Sequence, residues 1–305
     1  MHYDAAYGIP GEDTYIDMRQ KKQLLRSMFM GGGDALQHVT LEGGHADYEH
    51  SEIDPATAER LSTFKDDEWD MRVESVFGAT GPFSGSAIGA QFQNRDFSAL
   101  GEGADYLRPT STSTRALFLF AEAPLSDTVR LQTGARVEHV GVEGTPASDV
   151  LTSRVFTPIS ASLGFVFDAS DALRLGLTLT SAARAPAQTE LFARGPHDGP
   201  ATFETGDPTL GIERANSLEG TLRFNIERTV LEGSLWMAKF GNYIFGELTG
   251  RTCDDAGNCV VGNAEALKEL NYVQVDSTFR GAEGKASFTL GDMQSGKLQL
   301  DLLAD

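Results

Sequence analysis

The stretch Leu173-Arg-Leu-Gly-Leu-Thr-Leu-Thr180 places a leucine at every second position, with a polar or small residue after each one. A β-strand points successive side chains to opposite faces, so this segment has one apolar and one polar face. The alternation recurs in residues 129–138, 159–167 and 218–226. It predicts an all-β protein whose apolar sheet face meets either a protein core or lipid.

The lengths of the connections between these segments favour lipid as the environment of the apolar face. Short connections rich in Gly, Asp, Ser or Pro lie at 30–35, 79–85, 123–128, 168–171, 227–229 and 291–296. Longer polar connections lie near 8–14, 49–66, 97–112, 143–154, 184–213 and 249–270. Short and long connections alternate strictly, as expected of an antiparallel transmembrane β-barrel with tight periplasmic turns and long extracellular loops.

This spacing predicts about 13 strands. A descending strand is expected from about Tyr15 to Phe29, an ascending one from about Leu36 to Tyr48, and a last strand from Lys297. Bacterial single-chain barrels have even strand numbers, and the chain ends in mid-strand at LQLDLLAD. We therefore expect residues 1–305 to be one partial barrel domain, truncated at both ends.

Composition narrows the classes further. The sequence has 40% hydrophobic residues and no apolar run of about 18, which excludes a transmembrane helix. Its net charge of −19 argues against nucleic acid as a partner. The start MHYDAAYGIPGEDTY has no signal-peptide pattern, so an exported protein would have its beginning outside this sequence.

Aromatic residues form two predicted bands, which would be the interfacial girdles of a barrel. The band near the short turns contains Phe77, Phe118, Phe120, Phe165, Phe167 and Phe288, and the band near the long loops contains Tyr48, Phe97, Tyr243, Phe245 and Tyr272.

The two cysteines, Cys253 and Cys259, lie in the polar stretch RTCDDAGNC, whose centre favours a turn. A local disulfide is the preferred interpretation, and it implies an oxidising compartment. A metal-binding pair is the alternative, although no other Cys or His is close in sequence.

The segment from residue 181 to 224 resembles a segment common in TonB-dependent outer-membrane receptors. In that family an Arg-Ala-Pro ends a strand, a short helix carries Glu-Leu-Phe, and a Gly-Asn/Asp-Pro-x-Leu-x-x-Glu run leads into the next strand. The corresponding residues here are Arg184, Ala185 and Pro186; Glu190, Leu191 and Phe192; and Gly206, Asp207, Pro208, Leu210 and Glu213. Other similar pieces are YGIPGE at 7–12, IDMRQ at 16–20, DYEH at 47–50, RDFSALGEGA at 95–104 and 271–288.

The resemblance implies a 22-stranded barrel plugged by an N-terminal domain. No plug sequence, energy-coupling box or closing strand is present here. A full-length parent would bind a scarce nutrient at the surface of a Gram-negative cell. It would import this nutrient through its plug, driven by the inner-membrane TonB–ExbB–ExbD complex. Outer-membrane lipid is a further partner, and no cofactor is implied beyond zinc or an iron-siderophore as cargo.

The loop from Pro186 to Glu213 is expected to cap the barrel as part of a ligand vestibule, with a structural brace as the alternative. The candidate ligand-binding residues are Arg184, Glu190, Phe192, Arg194, Phe203 and Glu204. No nucleophile elbow, phosphate-binding glycine loop or metalloprotease motif is present, so catalysis is not indicated.

Histidines and carboxylates suggest a metal cargo. The candidate metal ligands are His45, Asp47 and His50 on one strand and its loop, and His197 and Asp198 in another loop. Imidazole with carboxylate suits zinc or a similar divalent ion. The YGIPGE and GPH segments are most similar to zinc-uptake receptors, whose His-rich insert is absent here. The alternative is that these residues are solvated polar groups on lumen and loop faces.

Three other classes share parts of the pattern. A passive porin or fatty-acid channel would have the same wall without the Arg184–Glu213 motif. A barrel phospholipase or protease would need a catalytic cluster at the strand ends, and a secreted soluble β-protein would pack the leucines into a core. Ferric siderophore, cobalamin and a saccharide remain open as cargo beside zinc.

Overall fold

The computed structural model describes residues 1–8, 14–33, 35–197, 200–293 and 296–305. Residues 9–12 of the YGIPGE segment and the predicted metal ligand Asp198 lie outside these ranges.

The described chain forms a single 17-stranded sheet and two short helices. The strands are β1 His2–Gly8, β2 Tyr15–Met30, β3 Leu36–Ile53, β4 Arg60–Phe77, β5 Gly85–Gly101, β6 Thr110–Pro124, β7 Val129–Gly144, β8 Thr152–Phe156, β9 Ile159–Asp168, β10 Leu173–Arg184, β11 Arg194–His197, β12 Thr202–Thr205, β13 Glu213–Ile226, β14 Thr229–Cys253, β15 Cys259–Val261, β16 Leu267–Met293 and β17 Gly296–Ala304. The helices are α1 Gly103–Tyr106 and α2 Gln188–Phe192, and neither is long and apolar enough to cross a bilayer.

Thirteen of the strands form a wall in which each pairs antiparallel with the next in chain order; the short β8, β11, β12 and β15 lie in the long connections. The prediction of about 13 antiparallel strands is confirmed. The predicted alternation of short and long connections holds from β5 onward, whereas the β3–β4 connection, 54–59, is no longer than the β4–β5 connection, 78–84, because β3 and β4 both extend into the predicted loop. The strands predicted from Tyr15, Leu36 and Lys297 are found, and β3 extends further than expected, to Ile53.

One face of the wall carries a band of apolar side chains along the middle of its strands, and we call it the outward face. Leu177 lies opposite Phe165 of β9 and Gly220 of β13, and Leu179 lies opposite Leu163 and Leu218. Leu177 and Leu179 are each 47% exposed, because no second layer of the described chain packs against them. This is the arrangement of a lipid-facing wall, in which hydrocarbon covers the apolar side chains.

The opposite, inward face is polar. Asp168 accepts hydrogen bonds from Arg130 at 2.9 Å and from Arg174 at 2.6 Å. Gln132 donates to Glu122 at 2.7 Å on the same face. Polar groups on this side therefore pair with one another, as expected where a wall lines a wet lumen.

The main group of buried residues lies at the long-loop end of the wall, on its inward face. It contains Phe64, Ala99, Tyr106, Leu107, Val140, Val142, Phe156, Leu191, Phe192, Ala193, Leu210 and Ile244. The long connections thus fold inward over the mouth and bury one another there.

The predicted aromatic bands are only partly correct. Phe165 and Phe167 lie on the outward face. Phe118 and Phe120 alternate with the outward Leu117 and Leu119, so they point inward, and the Arg72 guanidinium lies 4.3 Å from the Phe118 ring centre. Because parity along a strand fixes the face, position near a turn was not sufficient to assign these rings to a girdle.

Candidate functional site: the capped mouth

The cap is the segment 185–212, of which residues 198 and 199 are not described. Pro186 follows the end of β10, and α2 then leads into the β11–β12 hairpin. β12 pairs in parallel with the upper end of β16, which fastens the hairpin to the wall. The Phe192 side chain is fully buried against Gly144, where an added Cβ would lie 2.5 Å from its ring. Only glycine lets the cap pack this closely.

Arg184 joins the cap to two strands. Its guanidinium donates to both carboxylate oxygens of Glu213 at 2.9 and 3.0 Å, and to both of Glu190 at 2.8 and 2.9 Å. Glu213 also accepts from the Ile244 backbone N–H at 2.7 Å, and Glu190 from the Ala187 N–H at 2.6 Å. Bidentate pairs of this kind are strong and geometrically specific, and they bind α2 to β10, β13 and β14.

Glu204 is the second fixed point of the cap. Its buried carboxylate accepts from His197 Nδ1 at 2.8 Å and from Thr202 at 2.9 Å. The phenols of Tyr106 and Tyr272 donate to its other oxygen at 3.2 and 2.9 Å. This one side chain therefore links α1, the β11–β12 hairpin and β16.

The environment of Glu204 favours its charged form. Burial acts to raise its pKa, but the hydrogen bonds from His197, Thr202 and Tyr272 outweigh burial, so the pKa is lowered. Because an ionised carboxylate only accepts hydrogen bonds, His197 Nδ1 carries the donated proton. The Nε2 atom of a neutral His197 then has a lone pair available to a ligand.

A cavity of about 390 Å³ lies between the cap and the wall, and we call it the mouth cavity. Its lining includes Tyr48, His50, Phe64, Lys65, Asp66, Arg95, Phe97, Tyr106, Gln188, Thr189 and His197. The Arg95 Nε donates to both Asp66 oxygens at 2.9 and 2.7 Å, and the His197 ring stacks on Tyr106 at 4.2 Å. The cavity therefore combines aromatic rings, one held ion pair and two histidines.

His50 is the unusual group in this cavity. Its ring stacks on Phe64 at 4.8 Å, and its Nδ1 atom is buried without a hydrogen-bond partner in the described part of the chain. Burial lowers the pKa of His50, which lies near the extracellular end of β3. The imidazole is therefore neutral at neutral pH, the form that binds metal ions.

The predicted metal ligands do not meet at one point. Asp47 lies on the outward face with His45, which stacks on Trp69 at 4.1 Å and contacts Asp67 at 2.8 Å. His50 lies on the inward face, since it is an odd number of residues from His45. An ion shared by His45 and His50 is thus incompatible with the strand. The sequence analysis missed this because it ended the strand near Tyr48 and placed His50 in the loop, whereas β3 continues to Ile53.

Within the described ranges, the one group of three His, Cys, Asp or Glu side chains close enough to share an ion is Cys253, Cys259 and Glu269. The two sulfurs of this group are joined in a disulfide, so they are not free to bind metal. The alternative of a cysteine metal pair is therefore wrong, and the predicted local disulfide is present at the end of the β14–β15 hairpin.

None of the six predicted ligand-binding residues lines the mouth cavity. Arg184, Glu190 and Glu204 are engaged as described above. Arg194 donates to the Pro146 carbonyl at 2.8 Å and pairs with Asp149 at 2.6 Å, and Phe203 packs on Gly257. These contacts favour the structural-brace alternative for this set. The sequence analysis missed Tyr48, Asp66 and Arg95 as cavity residues. Strand register could have indicated them, since Tyr48 is two residues from His50 and Asp66 lies opposite Tyr48. Arg95 is two residues from Phe97, which lies opposite Asp66.

The chain matches the family described as "TonB dependent receptor-like, beta-barrel" over residues 25–304. It belongs to this family, whose members are outer-membrane β-barrels of Gram-negative bacteria, and the wall described above is such a barrel wall.

Solved structures with the same fold include three receptors or transporters of low sequence identity. The copper transporter OprC is 15% identical with a TM-score of 0.71, covering 95% of this chain and 49% of its own. The Serratia marcescens hemophore receptor HasR is 13% identical with a TM-score of 0.74, covering 94% and 48%. The ferric enterobactin receptor PfeA from Pseudomonas aeruginosa is 13% identical with a TM-score of 0.64, covering 92% and 42%. The chain thus spans about half the length of these structures.

Proposed function

We propose that this chain forms the wall and surface loops of an outer-membrane receptor for energised uptake of a scarce metal-containing nutrient. Membership of the receptor family supports this function over a passive porin. The fixed, inward-folded cap also supports it, because a cap over the mouth would obstruct the free diffusion on which a passive channel depends. Coupling to the TonB–ExbB–ExbD complex through a plug domain, and the lack of a catalytic role, are parts of the same proposal.

For the cargo we propose a divalent metal ion, with zinc as the sharper hypothesis, entering through the mouth cavity. The observation that carries this is the pair of histidines on its lining, each with a nitrogen not used by the protein. His50 offers its unpartnered Nδ1, and His197 offers Nε2 while Glu204 holds its other nitrogen. Carboxylate-held histidine is the usual orientation of a metal ligand.

The test is zinc titration of the full-length receptor by calorimetry. We expect His50→Ala with His197→Ala to weaken zinc binding by at least tenfold, because two neutral nitrogen ligands are lost. His139→Ala is the matched control, since His139 lies on the outward face of β7 opposite Arg115. Unchanged zinc affinity in the double variant, with the barrel folded, would exclude the mouth cavity as the metal site.

A metal-siderophore complex is the second candidate, because four aromatic rings line the cavity. Tyr48, Phe64, Phe97 and Tyr106 could stack on a flat ligand, and Arg95 could meet its negative charge. Phe97→Ala should then weaken binding of a ferric catecholate and leave zinc binding intact. Loss of zinc binding alone in the histidine variants would favour the free ion.

A further inference from the structure

The outward face carries an apolar groove that is distinct from the mouth. It has a volume of about 950 Å³ and lies where β10, β13, β14 and β16 run side by side. Gly220 forms its floor between Leu177 and Leu235, its partners on the two neighbouring strands. The rim includes Leu218, Leu222 and Met237. The missing side chain at Gly220 thus leaves a depression in an otherwise leucine-covered wall.

Basic side chains lie at the upper end of this groove, on the same face. Arg280 lies directly opposite Met237 and lines the groove. Lys239 lies one cross-strand row higher, opposite Thr278, and Arg214 lies one row above that. Residues in adjacent rows of paired strands are diagonal neighbours, within reach of long side chains. The three cations therefore form one basic cluster across β13, β14 and β16.

Two of these cations have no partner in the described part of the chain. Arg214 donates to Ser181 at 2.8 Å and to the Ile159 carbonyl at 3.0 Å, whereas Lys239 and Arg280 are exposed and make no hydrogen bond or ion pair. The nearest outward carboxylate on β16, that of Asp276, accepts from the Asn242 N–H at 3.2 Å. In a chain with a net charge of −19, two adjacent cations are thus left free to pair with an anionic group from outside.

The height of the cluster places it at the membrane surface. β14 begins at Thr229 beside the short turn, and Lys239 lies ten residues further along. At about 3.3 Å per residue and a tilt of about 45°, Lys239 is about 23 Å above the turn. The apolar band of such barrels is about 25 Å tall, so the cluster lies at the outer-leaflet boundary. Lipid phosphates lie at this level, and long cations extend toward it.

We propose that this groove binds a phosphorylated, multiply acylated glycolipid of the outer leaflet, with lipid A chemistry. Its acyl chains would lie over Gly220, and its phosphates would pair with Lys239 and Arg280. Charge complementarity favours this lipid over an ordinary phospholipid, since three clustered cations exceed the charge of a single phosphodiester and match a headgroup with two phosphates.

Native mass spectrometry of the full-length receptor, purified in detergent and supplied with bisphosphorylated lipid A, tests the proposal. We expect one retained lipid A, and at least tenfold weaker retention of phosphatidylglycerol and of dephosphorylated lipid A. Lys239→Gln combined with Arg280→Gln should reduce retention of lipid A at least tenfold. Equal retention of phosphatidylglycerol by the native receptor would overturn the choice of occupant.

A second variant tests the groove without changing charge. Gly220→Leu fills the floor, and an added Cβ there meets no atom within 4 Å, so the strand accommodates it. Gly43→Leu is the matched control, because Gly43 also faces outward with free space but lies opposite Met71 on another part of the wall. Retention should fall at least tenfold only in Gly220→Leu. Equal retention in both glycine variants, or in the double charge variant and the native receptor, would overturn the proposal.

Discussion

Individual residues hold the cap, and Arg184 is the clearest case. Its four hydrogen bonds to Glu190 and Glu213 and a fifth to the Ala185 carbonyl at 3.4 Å use all five N–H donors, so none is left for a ligand in the mouth cavity. Sequence resemblance identified the motif, but the sequence could not show whether the guanidinium bound a ligand or the protein. That distinction depends on where Glu213 and Glu190 lie, and a strand register and a helical turn are needed to bring them together.

Arg184→Ala should loosen the cap, because two largely buried carboxylates lose their cation. Removing one partner of a buried pair costs about 3–5 kcal/mol, and solvent access to Arg184 reduces this to roughly 1–2 kcal/mol. Hydrogen exchange at Gly206 and Asp207, whose N–H groups bond within the cap, should accelerate about tenfold. Arg223→Ala is the control, since its pair with Glu232 is exposed. Equal effects of both substitutions would contradict the role given to Arg184.

Glu204 should make cap stability depend on pH. Its pKa is lowered in the folded protein, so its contribution is complete above the pKa of a free glutamate and is lost as pH falls through the folded value. We expect hydrogen exchange in β11 and β12 to accelerate in acid, below about pH 4.3. In Glu204→Gln this acid step should vanish, with faster exchange already at neutral pH. An unchanged acid step in the variant would assign it to another group.

At the scale of elements, the strands were predictable and the cap was not. Alternation and turn chemistry are local, so they located β2, β3 and β17 to within a few residues at their starts. The parallel pairing of β12 with β16 joins segments over 60 residues apart, and no local signal reports it. The opposite faces of His45 and His50 follow from their odd spacing, but only if the strand is predicted to reach Ile53.

The disulfide hairpin is an element whose contribution can be isolated. The Cys253–Cys259 bond closes a loop with a sequence separation of 6, and Phe203 of the cap packs on Gly257 within it. Cys253→Ser with Cys259→Ser should destabilise the hairpin by about 2 kcal/mol through loop entropy. Limited proteolysis should then cleave residues 253–259 faster and leave the β13–β14 pairing resistant. Two free thiols in the native exported protein, by non-reducing mass spectrometry, would remove the basis of this prediction.

The whole molecule is organised by the solvent on each side of the wall. The outward face carries an apolar band from β4 to β14, and within the described ranges the main cluster of buried side chains lies where the loops fold over the mouth. Composition could not reveal this, because a mean hydropathy of −0.24 averages the two faces. The strict alternation of short and long connections did predict it, since a membrane has two unlike sides.

The most direct test measures whether lipid or water contacts the side chains at Leu177 and Thr178. In the full-length receptor reconstituted in bilayers, a spin label is attached to Leu177→Cys or to Thr178→Cys, which lie on opposite faces of β10. We expect the label at 177 to be relaxed by oxygen and shielded from a water-soluble nickel chelate, and the label at 178 to be relaxed by the chelate more than by oxygen. Equal shielding of both labels, or access of the chelate to position 177, would contradict a lipid-facing leucine surface.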